Sequence, residues 1–243
     1  MITWLISDLH LQPEREDLAQ AFTAFVKHTV QDGDKLYILG DFFNAWIGDD
    51  EDNPFYLDII DTLSTLQTRN IQTWFMHGNR DFLVQTAFAE RAGVTLLDEP
   101  AKIELAGKNV LLMHGDSLCT GDKEYIAFRQ QVRNPDWQAG VLSLPLAQRR
   151  IMAADLREKS MSMNSNKAED IMDVTPSEVD RVIMDYNVEI LIHGHTHRPA
   201  RHALANNKER IVLGDWDKQG WYIRASQENI ELEAFDIVDG VGT

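Results

Sequence analysis

The sequence predicts an α/β (α+β) chain built from two packed mixed β-sheets flanked by helices, with a helical cap inserted. Three observations predict it. Short apolar runs alternate with helical stretches up to about residue 93, the pattern of a sheet covered by helices. Later apolar runs pair across short turns, which adds antiparallel strands. A stretch from about 122 to 176 carries helical patterns but no convincing strand, and it interrupts the rest.

The elements follow in order. Residues 2–6 form a first strand, an apolar run that stops short of Asp8. A helix over about 18–30 puts Phe22, Phe25 and Val26 on one face. Residues 35–39 are the second strand. From about 54 to 68, Phe55, Ile59, Leu63 and Leu66 recur at spacings of 4, 4 and 3, the period of a helix buried on one side. Asp52 or Asn53 can cap that helix, and Pro54 suits its first position. Residues 72–76 are the third strand, and a short helix over 82–92 ends at Gly93. Residues 102–105 and 110–113 read as a hairpin turning over 106–109. Residues 189–192 and 210–213 are later strands, and 220–225 with 229–235 make a terminal hairpin. The core is therefore expected from 1–121 and 177–243, with 122–176 as the inserted cap.

Composition narrows the class. With 243 residues, 44% of them apolar, the chain can bury a sizeable core. No uninterrupted apolar run reaches the roughly 18 residues of a membrane span. The N-terminal residues lack a basic region and read as a strand rather than a signal peptide. The lone Cys119 excludes an intramolecular disulfide, reads as a small buried residue and fits a reducing cytoplasm. A formal net charge of −16 disfavours nucleic-acid binding. Residues 122–167 depart from that balance, with eight basic side chains against five acidic ones. Trp137, Val141, Leu142, Leu144, Leu146, Ile151 and Met152 lie among them. Apolar and basic residues together suit an anionic amphiphile at a membrane surface; a plain helical subdomain with solvated arginines is the competing reading.

The chemistry lies in five segments that each follow an apolar run. They are Asp8-Leu9-His10, Gly40-Asp41, Gly78-Asn79-Arg80-Asp81, His114-Gly115-Asp116 and Gly194-His195-Thr196-His197. Residues two apart in extended chain share a side, so Asp8 with His10, and His195 with His197, can each meet one ion. Two aspartates, one asparagine and four histidines exceed the needs of one tetrahedral zinc. They suffice for two ions sharing a bridging carboxylate, and two ions roughly 3.5–4 Å apart can activate a water and stabilise a phosphoryl group. Oxygen and imidazole ligands without thiolate fit manganese, iron, cobalt or zinc. His77 has no place in the pattern and reads as structural.

These segments resemble the calcineurin-like metallophosphoesterases, whose pattern runs D-x-H, G-D, G-N-H/R-D, H and G-H-x-H. Within that family the chain is similar to the pyrophosphatases of lipid A biosynthesis that act on UDP-2,3-diacylglucosamine. The closer likeness rests on Arg80 in the third motif, on residues 37–43, 46–50 and 114–120, on Ile171-Met172-Asp173-Val174 and on residues 193–199. Asn44 departs from it, standing where those enzymes are expected to have an acidic residue. The resemblance implies that Asp8, His10, Asp41 and His197 hold a first ion. Asp41, Asn79, His114 and His195 hold a second, so Asp41 bridges. It implies two divalent ions, Mn2+, with Asp41, Asn79, Arg80 and His195 at the centre of catalysis. Asn79, Arg80, His195, Asp122, Ser160, Asn164 and Lys167 are then the substrate contacts, the last three at spacings of 4 and 3 on one helix face. The implied reaction is hydrolysis of the pyrophosphate bond to UMP and diacylglucosamine 1-phosphate by a monomer, peripheral on the cytoplasmic face of the inner membrane. A phosphodiesterase or dinucleotide polyphosphatase with a soluble nucleotide substrate is the alternative. A non-catalytic scaffold is disfavoured, because all seven ligand positions are filled.

Overall fold

Strands β1 (Thr3–Ile6), β2 (Lys35–Leu39), β3 (Gln72–Met76) and β4 (Thr95–Leu97) run parallel in one sheet. Parallel neighbours need a crossover. The crossovers are the helices α1 (Glu16–Ala24), α2 (Pro54–Thr68) and α3 (Thr86–Ala92). The computed structural model describes residues 1–164 and 173–237, with side chains described for 1–158 and 173–237.

The second sheet is formed by β5 (Ala101–Leu105), β6 (Lys108–Leu112), β7 (Ile190–His193), β8 (Ala200–Ala203) and β9 (Glu209–Val212). Its order is β5-β6-β7-β9-β8, with β6, β7 and β9 parallel and the two edges antiparallel. β10 (Gln219–Ala225) and β11 (Ile230–Asp236) return to the first sheet, giving β11-β10-β1-β2-β3-β4. Between β6 and β7 come helices α4 (Lys123–Val132), α5 (Pro135–Leu142), α6 (Leu146–Asn164) and α7 (Pro176–Asp185).

The period of two along each strand divides the core into layers. Leu5, Tyr37, Leu39 and Met76 meet Val110, Leu112, Ile190 and Ile192 between the sheets. Trp4, Ile6, Leu36, Ile38 and Phe75 face the first three helices, joined by Val141 of α5. Leu111, Met113 and Leu191 face Val179, Val182 and Ile183 of α7. Among the described residues no helix is long and apolar enough to cross a membrane.

The expected elements form, with local corrections. Pro54 opens α2 and Asn53 caps it, its side chain accepting from Phe55 N at 3.0 Å. The first hairpin turns on two residues, not four: Ala106 and Gly107 both take positive φ, 50° and 71°, as a tight two-residue turn requires. β4 and β8 carry little sequence signal, since three residues and a half-polar edge show little apolar pattern. The third helix begins at Thr86 rather than at Phe82, because Asp49 sets its start from another loop. The Asp49 carboxylate accepts from Gln85 N at 3.1 Å, Phe88 N at 2.7 Å and the Trp46 indole at 3.0 Å. Asp49→Ala is expected to lower stability by about 2 kcal/mol, since it strips a helix cap and an indole partner together. Thermal denaturation checks this; a midpoint within error of wild type would refute it.

Candidate metal centre

All five ligand-bearing segments emerge at the carboxyl ends of parallel strands. Asp8 and His10 follow β1, Asp41 follows β2, Asn79 follows β3, His114 follows β6, and His195 and His197 follow β7. The sheets face each other, so these ends converge although the residues lie far apart in sequence. His10 Nε2 and His197 Nε2, 187 positions apart, are 3.1 Å from each other. His114 Nε2 and His195 Nδ1 both lie against Asn79 Oδ1, at 2.9 and 2.8 Å.

Two groups of ligand atoms, Asp8 with His10 and His197, and Asp8 with Asp41 and His114, each lie within 4.8 Å of one another. Asp8 is common to both. Asp41 nonetheless faces both sides: Oδ2 is 4.0 Å from His10 Nδ1, and Oδ1 is 3.7 Å from His114 Nε2. All seven expected ligands therefore fall in one cluster.

The donor set fits divalent cations. Asp8 Oδ1 is buried without a hydrogen-bond partner, and a buried carboxylate oxygen left unpaired is costly. Its other oxygen accepts from Ser7 Oγ at 2.6 Å and His195 N at 2.9 Å, which aims Oδ1 inward. His114 Nδ1 donates to Leu39 O at 2.9 Å, leaving Nε2 as its ligating atom. Burial, reinforced by the nearby His114 charge, pushes His195 down to about 3. Burial and the Arg80 charge push His10 down as well, so both imidazoles are neutral, the form that binds a metal. Burial also opposes charge on His114, but the Asp41, Asp8, Asp116 and Glu99 carboxylates outweigh it and raise the imidazole to about 9. A cation held here takes the place of that proton.

The backbone carries strain at the same residues. Asp8, His10, Asp41, His195 and His197 have φ of 57°, 49°, 50°, 67° and 55°. A left-handed non-glycine residue costs on the order of 1 kcal/mol, so these loops hold ligands in a posture they would not adopt alone. Gly78 permits the packing, since a Cβ there would lie 2.2 Å from Asp41 N and Oδ1.

Arg80 lies at the edge of the cluster. Its backbone N donates to Asp41 Oδ1 at 2.9 Å, Nε is 3.4 Å from Asp41 Oδ2, and Nη1 donates to Asn44 Oδ1 at 3.2 Å. Asn44 is itself held by Gln12 and, through its carbonyl, by Arg157 at 2.6 Å. Asp122 is buried and caps α4, accepting from Tyr125 N at 3.1 Å. Ser160 and Asn164 fall on the α6 backbone, but their side chains lie outside the described residues. So do Lys167, Ile171 and Met172.

Other residues support the cluster from outside the expected ligand set. Asp81, fully buried, accepts from Gly78 N at 2.7 Å and Phe42 N at 2.8 Å, tying the second ligand loop to the third. Burial and the Asp41 charge raise it to about 6. Asp215 Oδ2 stands 3.5 Å from His197 Nδ1. Asp81 was visible as the last letter of its motif, whereas nothing local marks Asp215. The basic insertion also has another use. Arg149 donates to Ile47 O at 2.6 Å and Asp50 Oδ1 at 2.7 Å, and Arg150 pairs with Glu51 and Asp52. These two arginines clamp the helices to an acidic loop of the core.

The sequence model of the calcineurin-like phosphoesterase family matches residues 1–199. A UDP-2,3-diacylglucosamine hydrolase of Cellvibrio japonicus is 52% identical, the match covering 98% of this chain and 100% of the relative. A protein of the same name from Marinobacter nauticus is 50% identical over 93% of this chain and 94% of its own. One from Pseudomonas fluorescens is 49% identical over 97% and 96%. Among solved structures, an archaeal phosphodiesterase shares the fold with a TM-score of 0.51 at 13% identity, covering 97% of this chain and 99% of that one.

Proposed function

The chain belongs to the calcineurin-like phosphoesterase family, and from that premise we propose that it hydrolyses the pyrophosphate bond of UDP-2,3-diacylglucosamine. The products are UMP and 2,3-diacylglucosamine 1-phosphate, on the route to lipid A. The observation that carries the chemistry is the meeting of Asp8, His10, Asp41, Asn79, His114, His195 and His197 in one partly buried cluster with Arg80 beside it. Likeness along nearly the whole chain to relatives bearing that name supports the substrate.

Asp8, His10, Asp41 and His197 hold one divalent ion in this reading, and Asp41, Asn79, His114 and His195 the other. Manganese is the proposed metal. Two bound ions supply an acidified water and positive charge for a phosphoryl group. Arg80 offers its planar fork to phosphate oxygens. Asn44, neutral and bonded to that fork, orients it without cancelling its charge. Asn79 and His195 flank the reacting phosphate.

Residues 122–176 serve as the cap. Asp122, Ser160, Asn164 and Lys167 contact the polar head of the substrate, and the apolar residues between them receive the acyl chains. The protein acts in this reading as a monomer, peripheral on the cytoplasmic face of the inner membrane, and Ile151 of α6, 65% exposed, offers an apolar contact to a lipid surface.

The test is UMP release from the acylated nucleotide sugar, with added Mn2+, against the same nucleotide sugar without acyl chains. Turnover of the acylated substrate that vanishes with chelator and returns with Mn2+ is expected. Equal turnover of the two substrates would favour the soluble-nucleotide alternative instead.

A further inference from the structure

We infer that Arg129 and Arg133 are positioning residues for one of the two metal positions, the one formed by Asn79, His114 and His195, and not for the other. The inference rests on the two-ion reading above. It starts from α4 and its C-terminal cap, where Tyr125, Arg129 and Arg133 recur every fourth residue on one face. Each of the three reaches a ligand loop of the same position.

Arg129 Nε donates to Asp116 Oδ2 at 2.9 Å, and its Nη2 donates to Glu99 Oε2 at 2.8 Å. Glu99 Oε1 in turn accepts from His114 N at 2.8 Å and Gly115 N at 3.2 Å. Arg129 thus grips the His114 loop from both sides, through one carboxylate that follows the ligand and one that holds its backbone. Tyr125 adds to the grip: its hydroxyl donates to Asp116 Oδ2 at 2.6 Å, and its ring lies 5.8 Å from the His195 ring. Arg133 reaches the third loop, where Nη2 donates to Gly78 O at 2.8 Å, the carbonyl immediately before Asn79.

The side-chain hydrogen bonds of Tyr125, Arg129 and Arg133 go to Asp116, Glu99 and the carbonyls before Asn79, and none of these reaches Asp8, His10 or His197 of the other position. Its outer support is Asp215, 3.5 Å from His197 Nδ1. The two ions would therefore have separate scaffolds: a helix of the inserted segment for one, and the loop after β9 for the other. Outer groups of this kind alter metal affinity about 10- to 100-fold.

The experiment counts bound Mn2+ by equilibrium dialysis and by electron paramagnetic resonance, alongside thermal denaturation. Wild type is expected to hold two ions. Arg129→Met and Arg133→Met are each expected to weaken one ion by about 10- to 100-fold and leave the other unchanged. Arg129→Lys should restore part of the loss. Arg133 bonds neutral carbonyls, so Arg133→Met strands no buried carboxylate and guards against a variant that merely fails to fold. Asp215→Asn should weaken the opposite ion, and the Arg129→Met/Asp215→Asn double variant should show both ions weakened where each single variant weakens one. Equal weakening of both ions, or a lower melting midpoint with both affinities intact, would overturn the inference. Wild type holding fewer than two ions would instead overturn the two-ion reading on which it stands.

Discussion

Asp41→Ala is expected to lower UMP release by about 10³-fold or more, the loss of several kcal/mol of transition-state stabilisation. Asp41 has two oxygens turned to two sides, toward His10 and toward His114. It also accepts from Arg80 N, so its removal disturbs both sides of the cluster and Arg80, the residue proposed to meet phosphate. A side chain that faces only one side of the cluster has no such reach. The variant should fold, because relieving a buried carboxylate that burial already disfavours offsets part of the lost bonding. Metal content and turnover, measured on protein shown by circular dichroism to be folded, decide the matter. Turnover near wild type would remove Asp41 from the mechanism.

Gly194→Ala should be nearly as damaging, without touching any ligand atom by substitution. A Cβ at 194 would sit 2.1 Å from Asp8 Oδ2 and 2.3 Å from Ser7 Oγ. Those atoms belong to the hydrogen bond that aims Asp8 inward. Gly194 N also donates to His114 O at 2.9 Å, so the crowded loop cannot retreat without loosening a second ligand. Overpacking of this kind costs about 1–3 kcal/mol, and a ligand displaced by ~1 Å can cost roughly 10²-fold in rate. Gly107→Ala provides the contrast. Its φ is +71° but a Cβ there meets nothing within 4 Å. That variant should lose about 1 kcal/mol of stability and no activity. Equal activity of the two variants would show that crowding at Asp8 is not what Gly194 prevents.

Much of the centre was legible because it obeys a local rule. Each ligand lies a few residues beyond an apolar run, and glycine precedes Asp41, Asn79 and His195. The strand runs themselves were legible for the same reason, since Leu36 and Ile38 alternate with Tyr37 and Leu39 in the chain as they do between two core layers. What depends on distant partners was not legible. The start of α3 was misplaced because its cap, Asp49, lies in another loop. The basic stretch suits an anionic amphiphile or a plain helical subdomain, and only the fold shows that Arg149 and Arg150 are bonded across about 100 residues to residues 47–52.

By itself, then, the sequence determined which residues carry metal-binding donors, that they stand at strand ends, and that a helical stretch separates the fourth from the fifth. Hydrophobic periodicity and ligand chemistry are properties of short windows, so they survive without coordinates. Only the tertiary structure decided that the two sheets bring His10 within 3.1 Å of His197, that five ligands sit in left-handed backbone, and that α4 grips one side of the centre. Those are long-range arrangements. They form only when core packing and buried hydrogen bonds, summed over the whole domain, outweigh the local preference of each loop.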